Sequence, residues 1–146
     1  MNKFNEYSYV MIKPTYLCYT DEIKNRLKAI GGTILAEKTL AMNSEKLREH
    51  YAHIANKPFY PEVEEYMLSG DCFAFLVAGD EGIIAKIREI VGPTKNAPQG
   101  TIRGDFMHKD ANSSANVIHA SDARDTANAE IERFFGEEIF NLYHNL

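Results

Sequence analysis

The run Cys72-Phe-Ala-Phe-Leu-Val-Ala78 limits this chain more than any other stretch. It is too short to cross a bilayer and too continuously apolar for a half-exposed strand, so it reads as a central strand buried on both faces. The rest of the chain must supply its partners and cover. Tyr7 to Ile12 reads as a strand ending at Lys13-Pro14, because proline cannot donate to a ladder. Thr20, Asp21 and Glu22 open a helix with Ile23, Leu27 and Ile30 on one side, stopped by Gly31-Gly32, and Thr33 to Met42 forms a second strand. Asn43 or Ser44 caps a helix carrying Leu47, Tyr51 and Ile54, which ends at Lys57-Pro58; Pro61 opens another that Gly70 closes. Beyond the apolar run, Ile83, Ile84, Ile87 and Val91 mark a helix. A last strand and helix begin at Asn116. With the helical hairpin and terminal helix set aside, the order is βαββαβ, a ferredoxin-like α+β sandwich: a four-stranded antiparallel sheet with helices on at least one face.

Composition narrows the function. The 146 residues match one domain, and 45% hydrophobic with 25% charged residues are ordinary globular values. A net charge of −5 argues against a broad nucleic-acid surface, which needs clustered basic groups. An anionic ligand must therefore be held by local Lys and Arg. No long apolar span suggests a membrane protein, and Met1 to Tyr7 lacks a signal-peptide core, so a cytoplasmic location is expected. Cys18 and Cys72 form no metal or disulfide pattern and read as reduced thiols. His50 and His53 have the spacing of a metal pair on one helix, yet no third ligand is evident, and surface histidines are the simpler reading. There is no P-loop and no Gly-x-Gly-x-x-Gly.

The chemistry concentrates in Asn116 to Glu130. Val117 and Ile118 are strand formers, Ser121 and Asp122 are helix-capping types, and Ala127, Ile131 and Phe134 recur at helical spacing. His119 thus stands where a strand hands over to a helix start, a setting that favours negative charge and phosphate in particular. The preceding stretch, Gly92 to Ala115, shows little periodicity; so long a loop in a small domain is usually functional or mobile.

Several segments together resemble the nucleoside diphosphate kinase family: Ile12-Lys13-Pro14, Glu49-His50-Tyr51, Lys57-Pro58-Phe59-Tyr60-Pro61, Tyr66-Met-Leu-Ser-Gly70, Gly100-Thr-Ile-Arg-Gly-Asp-Phe106 and Asn116-Val-Ile-His-Ala-Ser-Asp122 with Glu130. The resemblance implies transfer of a γ-phosphoryl group from a nucleoside triphosphate to a nucleoside diphosphate by a ping-pong route through phosphorylated His119. It further implies that Glu130 accepts a hydrogen bond from the other ring nitrogen, that Ser121 supports Glu130 or caps the helix, and that Tyr51 lies beside the histidine. Arg88, Thr94 and Arg103 would contact phosphates; for Arg88 alone, a cation complementing its helix dipole is the simpler explanation. Lys13 would lie near the transferred group and the ribose, Asn116 at the sugar, Phe59 stacked on the base and Val63 against it. Mg²⁺ would ride on phosphate oxygens and water, with no protein ligand. A homo-oligomer is implied as well. The alternative is a nucleotide-binding regulatory module of the same fold without turnover.

The departures are specific. Ala120 and Ala123 replace the usual Gly and Ser, and Ala120 is tolerable only if its φ is not positive. Thr15-Tyr-Leu-Cys-Tyr19 lacks the usual Asp-Gly and nearby Arg. The 94–100 loop is short, 105–116 is long, and the chain ends early after its last helix. These changes put the family's tetramer or hexamer contacts in question and leave the candidate reacting groups in place.

Overall fold

The computed structural model describes residues 4–111 and 114–144. Its sheet contains β1 (Glu6–Ile12), β2 (Thr33–Leu40), β3 (Cys72–Gly79) and β4 (Ile118–Ala120), in the order β2-β3-β1-β4 with every pairing antiparallel. That is the ferredoxin-like arrangement. β3 and β1 are the central pair, registered from Glu6 opposite Gly79 to Ile12 opposite Phe73. Every residue of β1 is buried, and β3 is buried except for partly covered Phe73. The apolar run therefore lies between two layers, each fully buried aliphatic or aromatic side chain stabilising the fold by about 1.5–3 kcal/mol.

Strand alternation sorts the two cores. Val10, Ile12, Phe75 and Val77 face α1 (Thr20–Ala29) and α4 (Ile83–Val91), meeting Ile23, Leu27, Ile83, Ile87 and Val91. Tyr9, Met11, Ala74 and Leu76 face the hairpin α2 (Ser44–His50) and α3 (Tyr60–Met67) together with α6 (Arg124–Phe135). Two short helices, α5 (Ile102–Phe106) and α7 (Glu137–His144), complete the chain.

Several boundaries differ from the sequence expectation, each for a local reason. α1 begins at Thr20 as expected, but it is entered through an unforeseen 3-10 turn over Leu17–Tyr19, and the Thr20 hydroxyl donates to the Leu17 carbonyl at 2.6 Å. α2 is capped by Asn43, whose side chain accepts from Lys46 N–H at 2.8 Å. It stops at His50 rather than reaching Ile54, because the chain continues as turns with N–H bonds from Ile54 to Tyr51, Lys57 to Ile54 and Tyr60 to Lys57. Within Gly92 to Ala115 lies α5, too short for periodicity to reveal, with Thr101 accepting from Gly104 N–H at 3.0 Å as its cap. Ser121 and Asp122 do not cap α6, which begins at Arg124 without a side-chain cap.

One long-range cap fixes β1 against α4. The Glu6 carboxylate accepts from Gly82 N–H at 2.7 Å and Ile84 N–H at 3.1 Å, and Arg124 reaches it at 3.1 Å. Burial acts to raise the Glu6 pKa, but these donors outweigh it and hold it below the ordinary carboxylate value.

Candidate active site

His119 is the middle residue of β4, opposite Met11. The strand is reached through a tight turn in which Ile118 N–H donates to Asn116 C=O at 3.0 Å and Val117 is held at φ +77°. A buried β-branched residue at positive φ carries strain of order 1–3 kcal/mol, so neighbouring bonds must over-determine it. Lys13 N–H donates to the Val117 carbonyl at 2.9 Å. Arg103, projected from α5, donates to Asn116 C=O at 3.0 Å, Gly92 C=O at 2.9 Å and Ile118 C=O at 2.8 Å. One guanidinium thus staples the end of α4 to both sides of the turn. Gly104 lets α5 approach: a Cβ there would fall 2.0 Å from the Pro98 carbonyl oxygen.

Behind His119, its Nε2 lies 2.6 Å from Glu130 Oε2, and the Ser121 hydroxyl donates to Glu130 Oε1 at 2.7 Å. Ser121 in turn accepts from Tyr9 N–H at 2.9 Å, which ties the carboxylate to the central strand. Glu130 is 3% exposed and Ser121 fully buried, while the His119 side chain keeps 21% of its surface open. With Nε2 on the carboxylate, Nδ1 is the ring nitrogen available for chemistry. Ser121 is therefore a support for Glu130. Ala120 pairs with Val10 in the strand and is not among the described positive-φ residues, so the steric condition on it is met.

In front of the ring a cavity of about 180 Å³ is lined by Arg88, Thr94, Arg103, His119 and Asp122, with Val91, Gly92 and Ala120. Arg88, at the end of α4, is half exposed and meets Asp122 Oδ1 at 2.5 Å. Beside the cavity Lys13 donates to Asn116 Oδ1 at 2.7 Å and is 7% exposed. Burial, followed by the Arg103 charge, pushes Lys13 down to about 7; burial and the Arg88 charge push Arg103 down to about 10. Cations crowded into low dielectric destabilise one another until an anion enters. The cavity lining thus draws on Arg88 and Arg103, and no residue of α6 is among those that line it.

The remaining sequence candidates are spread around this centre. Tyr51 edges the His50 ring at 4.7 Å and lines a second cavity of about 480 Å³ with His119, Glu130 and Arg133. Burial holds its phenol well above the ordinary value. Phe59, in the turn before α3, is 51% exposed; Val63 is buried in the hairpin core. Neither is among the residues lining these two cavities.

His50 was misread as a surface residue. Its side chain is 1% exposed, its ring meets His119 edge-on at 4.6 Å, and its Nδ1 is 3.6 Å from Glu130 Oε2. Burial first, then the neighbouring His119 and Arg133, lowers it to about 2, so the contact is between a neutral ring and a carboxylate. Helical spacing alone placed it one turn from His53 and gave no sign that α6 packs over it. The amphipathic register of Leu47, with His50 three residues on, was the available signal.

Comparison with known proteins agrees with this geometry. The sequence profile of the family described as nucleoside diphosphate kinase matches residues 6–140. A protein of that name from Methanosphaera stadtmanae is 36% identical over 140 residues, covering 93% of this chain and 90% of that protein. One from Streptococcus thermophilus is 37% identical over 119 residues, covering 80% and 86%. The crystal structure of the Encephalitozoon cuniculi nucleoside diphosphate kinase superposes with a TM-score of 0.85 at 31% identity, covering 92% of each chain. That from Aquifex aeolicus gives 0.80 at 33% identity, covering 91% of this chain and 96% of that one. Matched over nearly its whole length in sequence and in fold, the chain belongs to the nucleoside diphosphate kinase family.

Proposed function

We propose that the phosphotransfer between nucleotides that defines this family runs here through His119 Nδ1, in two displacements that use one pocket in turn. The carrying observation is the 2.6 Å contact from His119 Nε2 to Glu130, with the ring also lining the cavity of Arg88, Thr94 and Arg103. Nε2–H donated to a carboxylate leaves the Nδ1 lone pair as nucleophile, and Glu130 stabilises the positive charge that develops on the ring as the N–P bond forms.

Phosphoryl transfer depends chiefly on alignment and on stabilising charge over the phosphate oxygens. Arg88, Thr94 and Arg103 supply donors there. Arg103 spends three N–H groups on carbonyls and keeps others for a ligand. Lys13, oriented by Asn116, would supply a proton or charge at the transferred group and sugar. Exposed Phe59 offers a face to a base, which reads no hydrogen-bonding edge and so tolerates many bases; Val63 supports that helix, and Tyr51 and Ser121 hold the back of the site.

The donor set fits Mg²⁺ delivered with the nucleotide. Among the described residues Asp122 is the one carboxylate that lines the front cavity, and it is already paired with Arg88. Two guanidiniums beside it do not make a cation cage. Bound with the nucleotide, Mg²⁺ would supply neutralisation of phosphate charge, with Arg88 and Arg103 adding donors beside it. Nucleoside di- and triphosphates are the substrates on this reading. A cytoplasmic, homo-oligomeric enzyme is also proposed: among the described residues no helix is long and apolar enough to cross a membrane, and the eight-residue edge strand β2 offers a long unpaired ladder. Light scattering should then give a mass above that of one chain.

Initial rates at several fixed concentrations of the second nucleotide test the two-step route. Parallel double-reciprocal lines, and exchange of label between NTP and NDP without a third reactant, are expected. A nucleotide-binding module without turnover would show affinity and no exchange.

A further inference from the structure

We propose that His50, His119 and Glu130 form a binding site for a divalent transition-metal ion of the zinc type, entered from the rear cavity, and that an ion held there switches His119 off as a nucleophile. One donor atom from each of the three residues lies within 4.8 Å of the others. Two imidazoles and one carboxylate, with water in the fourth place, are a donor set that zinc uses. Glu130 Oε2 is already 2.6 Å from His119 Nε2 and 3.6 Å from His50 Nδ1. Donors around a tetrahedral zinc are roughly 3.3 Å apart, given metal–ligand bonds of about 2.0–2.1 Å. The adjustment is therefore a rotation of side chains, and the cavity of about 480 Å³ bordered by all three residues gives room for it.

The chemistry of the ligands favours the ion. His50 Nε2 is buried without a hydrogen-bond partner among the described residues, an orphaned ring nitrogen that a flip of the ring would offer to an ion. Arg133 opposes the ion: its NH1 is 3.3 Å from His50 Nδ1. Its Nε, however, is 3.1 Å from Glu49 on the cavity rim, so the guanidinium has a carboxylate to retreat to.

The consequence for reactivity follows from proton placement. A neutral imidazole has one in-plane lone pair. With Nε2–H on Glu130 that pair is on Nδ1, facing phosphoryl transfer; with a metal on Nε2 the proton must move to Nδ1, and the nucleophilic pair is lost. No net proton is released. The inhibition rests on His119 being the phosphoryl carrier, whereas binding of the ion does not.

Co²⁺ titration followed by visible absorption, with Zn²⁺ competition by calorimetry, reads binding directly. Wild type should bind one ion per chain with tetrahedral-type bands, His50→Gln should weaken it at least tenfold, and His53→Ala should not change it. Thermal melts establish that His50→Gln is folded; if it is not, wild-type protein alone decides through its bands and stoichiometry, and absence of one tetrahedral-type ion per chain overturns the site. Zn²⁺ added in the presence of excess Mg²⁺ should block labelling of the protein by γ-labelled NTP, and EDTA should restore it. Equal binding by wild type and folded His50→Gln would overturn the site. Binding that depends on His50 but leaves labelling untouched would overturn the switch alone.

Discussion

Among single residues, Glu130 is proposed to orient the His119 ring and to stabilise the charge that develops on it. Gln at 130 keeps the volume but replaces one acceptor with an amide donor, which no longer selects the tautomer with Nε2–H. Glu130→Gln is expected to lower the rate of phosphorylation of the protein by about 10- to 100-fold, or roughly 1.4–2.8 kcal/mol of barrier, with KM little changed. Stopped-flow measurement of single-turnover phosphorylation checks this. An unchanged rate would remove Glu130 from the mechanism.

Lys13 gives a pH dependence. Burial brings it down to about 7 from an ordinary 10.5, so its charge in the free protein is lost as pH rises through about 7. kcat/KM is expected to fall above that pH, and bound phosphate, by favouring the charged form, should move the corresponding limb of kcat upward. Stability runs the other way. Between about 7 and 10.5 the unfolded chain holds the proton that the folded chain has shed, so this group's contribution to stability rises with pH across that window and is lost as pH falls through about 7. A pH-rate series with wild type and Lys13→Met, which should lack the limb, tests the assignment.

At the scale of elements, α5 is the part whose purpose only the structure reveals. Five residues give no periodic pattern, yet α5 aims Arg103 at three carbonyls around the Val117 turn. Its close packing on Pro98 depends on Gly104. Gly104→Ala, which removes no functional side chain, is expected to destabilise the fold by about 1–3 kcal/mol and to lower kcat/KM through displacement of Arg103. Denaturant unfolding and nucleotide titration together test it; lost stability with intact affinity would show that α5 does not set the pocket.

The same scale explains what the sequence disclosed. β1 and β3 were legible as short apolar runs bounded by turn residues, the mark of strands buried on both faces, and α1 and α4 because one buried face imposed a period of 3.6 on them. Ser121 and Asp122 looked like caps because cap chemistry is local, whereas here their side chains answer to Tyr9 and Arg88, distant in sequence, and to Glu130 two turns into the next helix. The positive φ of Val117 was hidden for the same reason: only long-range bonds hold a β-branched residue there.

At the scale of the whole molecule, the β2-β3-β1-β4 order brings the end of β1, all of β4 and the ends of α2 and α4 to one place, where α5 and α6 close over them. The motif residues Lys13, Arg88, Arg103, Asn116, His119 and Glu130 could be named from resemblance, and the fold brings them to neighbouring positions. The burial of His50 against the site could not be read from its motif, because its neighbours in α6 lie more than seventy residues away in the chain.

His119 is proposed to carry the phosphoryl group between the two nucleotides. Brief incubation of the purified protein with γ-labelled nucleoside triphosphate and Mg²⁺, without acceptor, tests it directly. Wild type should take up acid-labile, base-stable label that an added nucleoside diphosphate removes, and folded His119→Ala should take up none. Labelling of His119→Ala equal to wild type, or a wild type that takes no label while still exchanging phosphate between nucleotides, would contradict it.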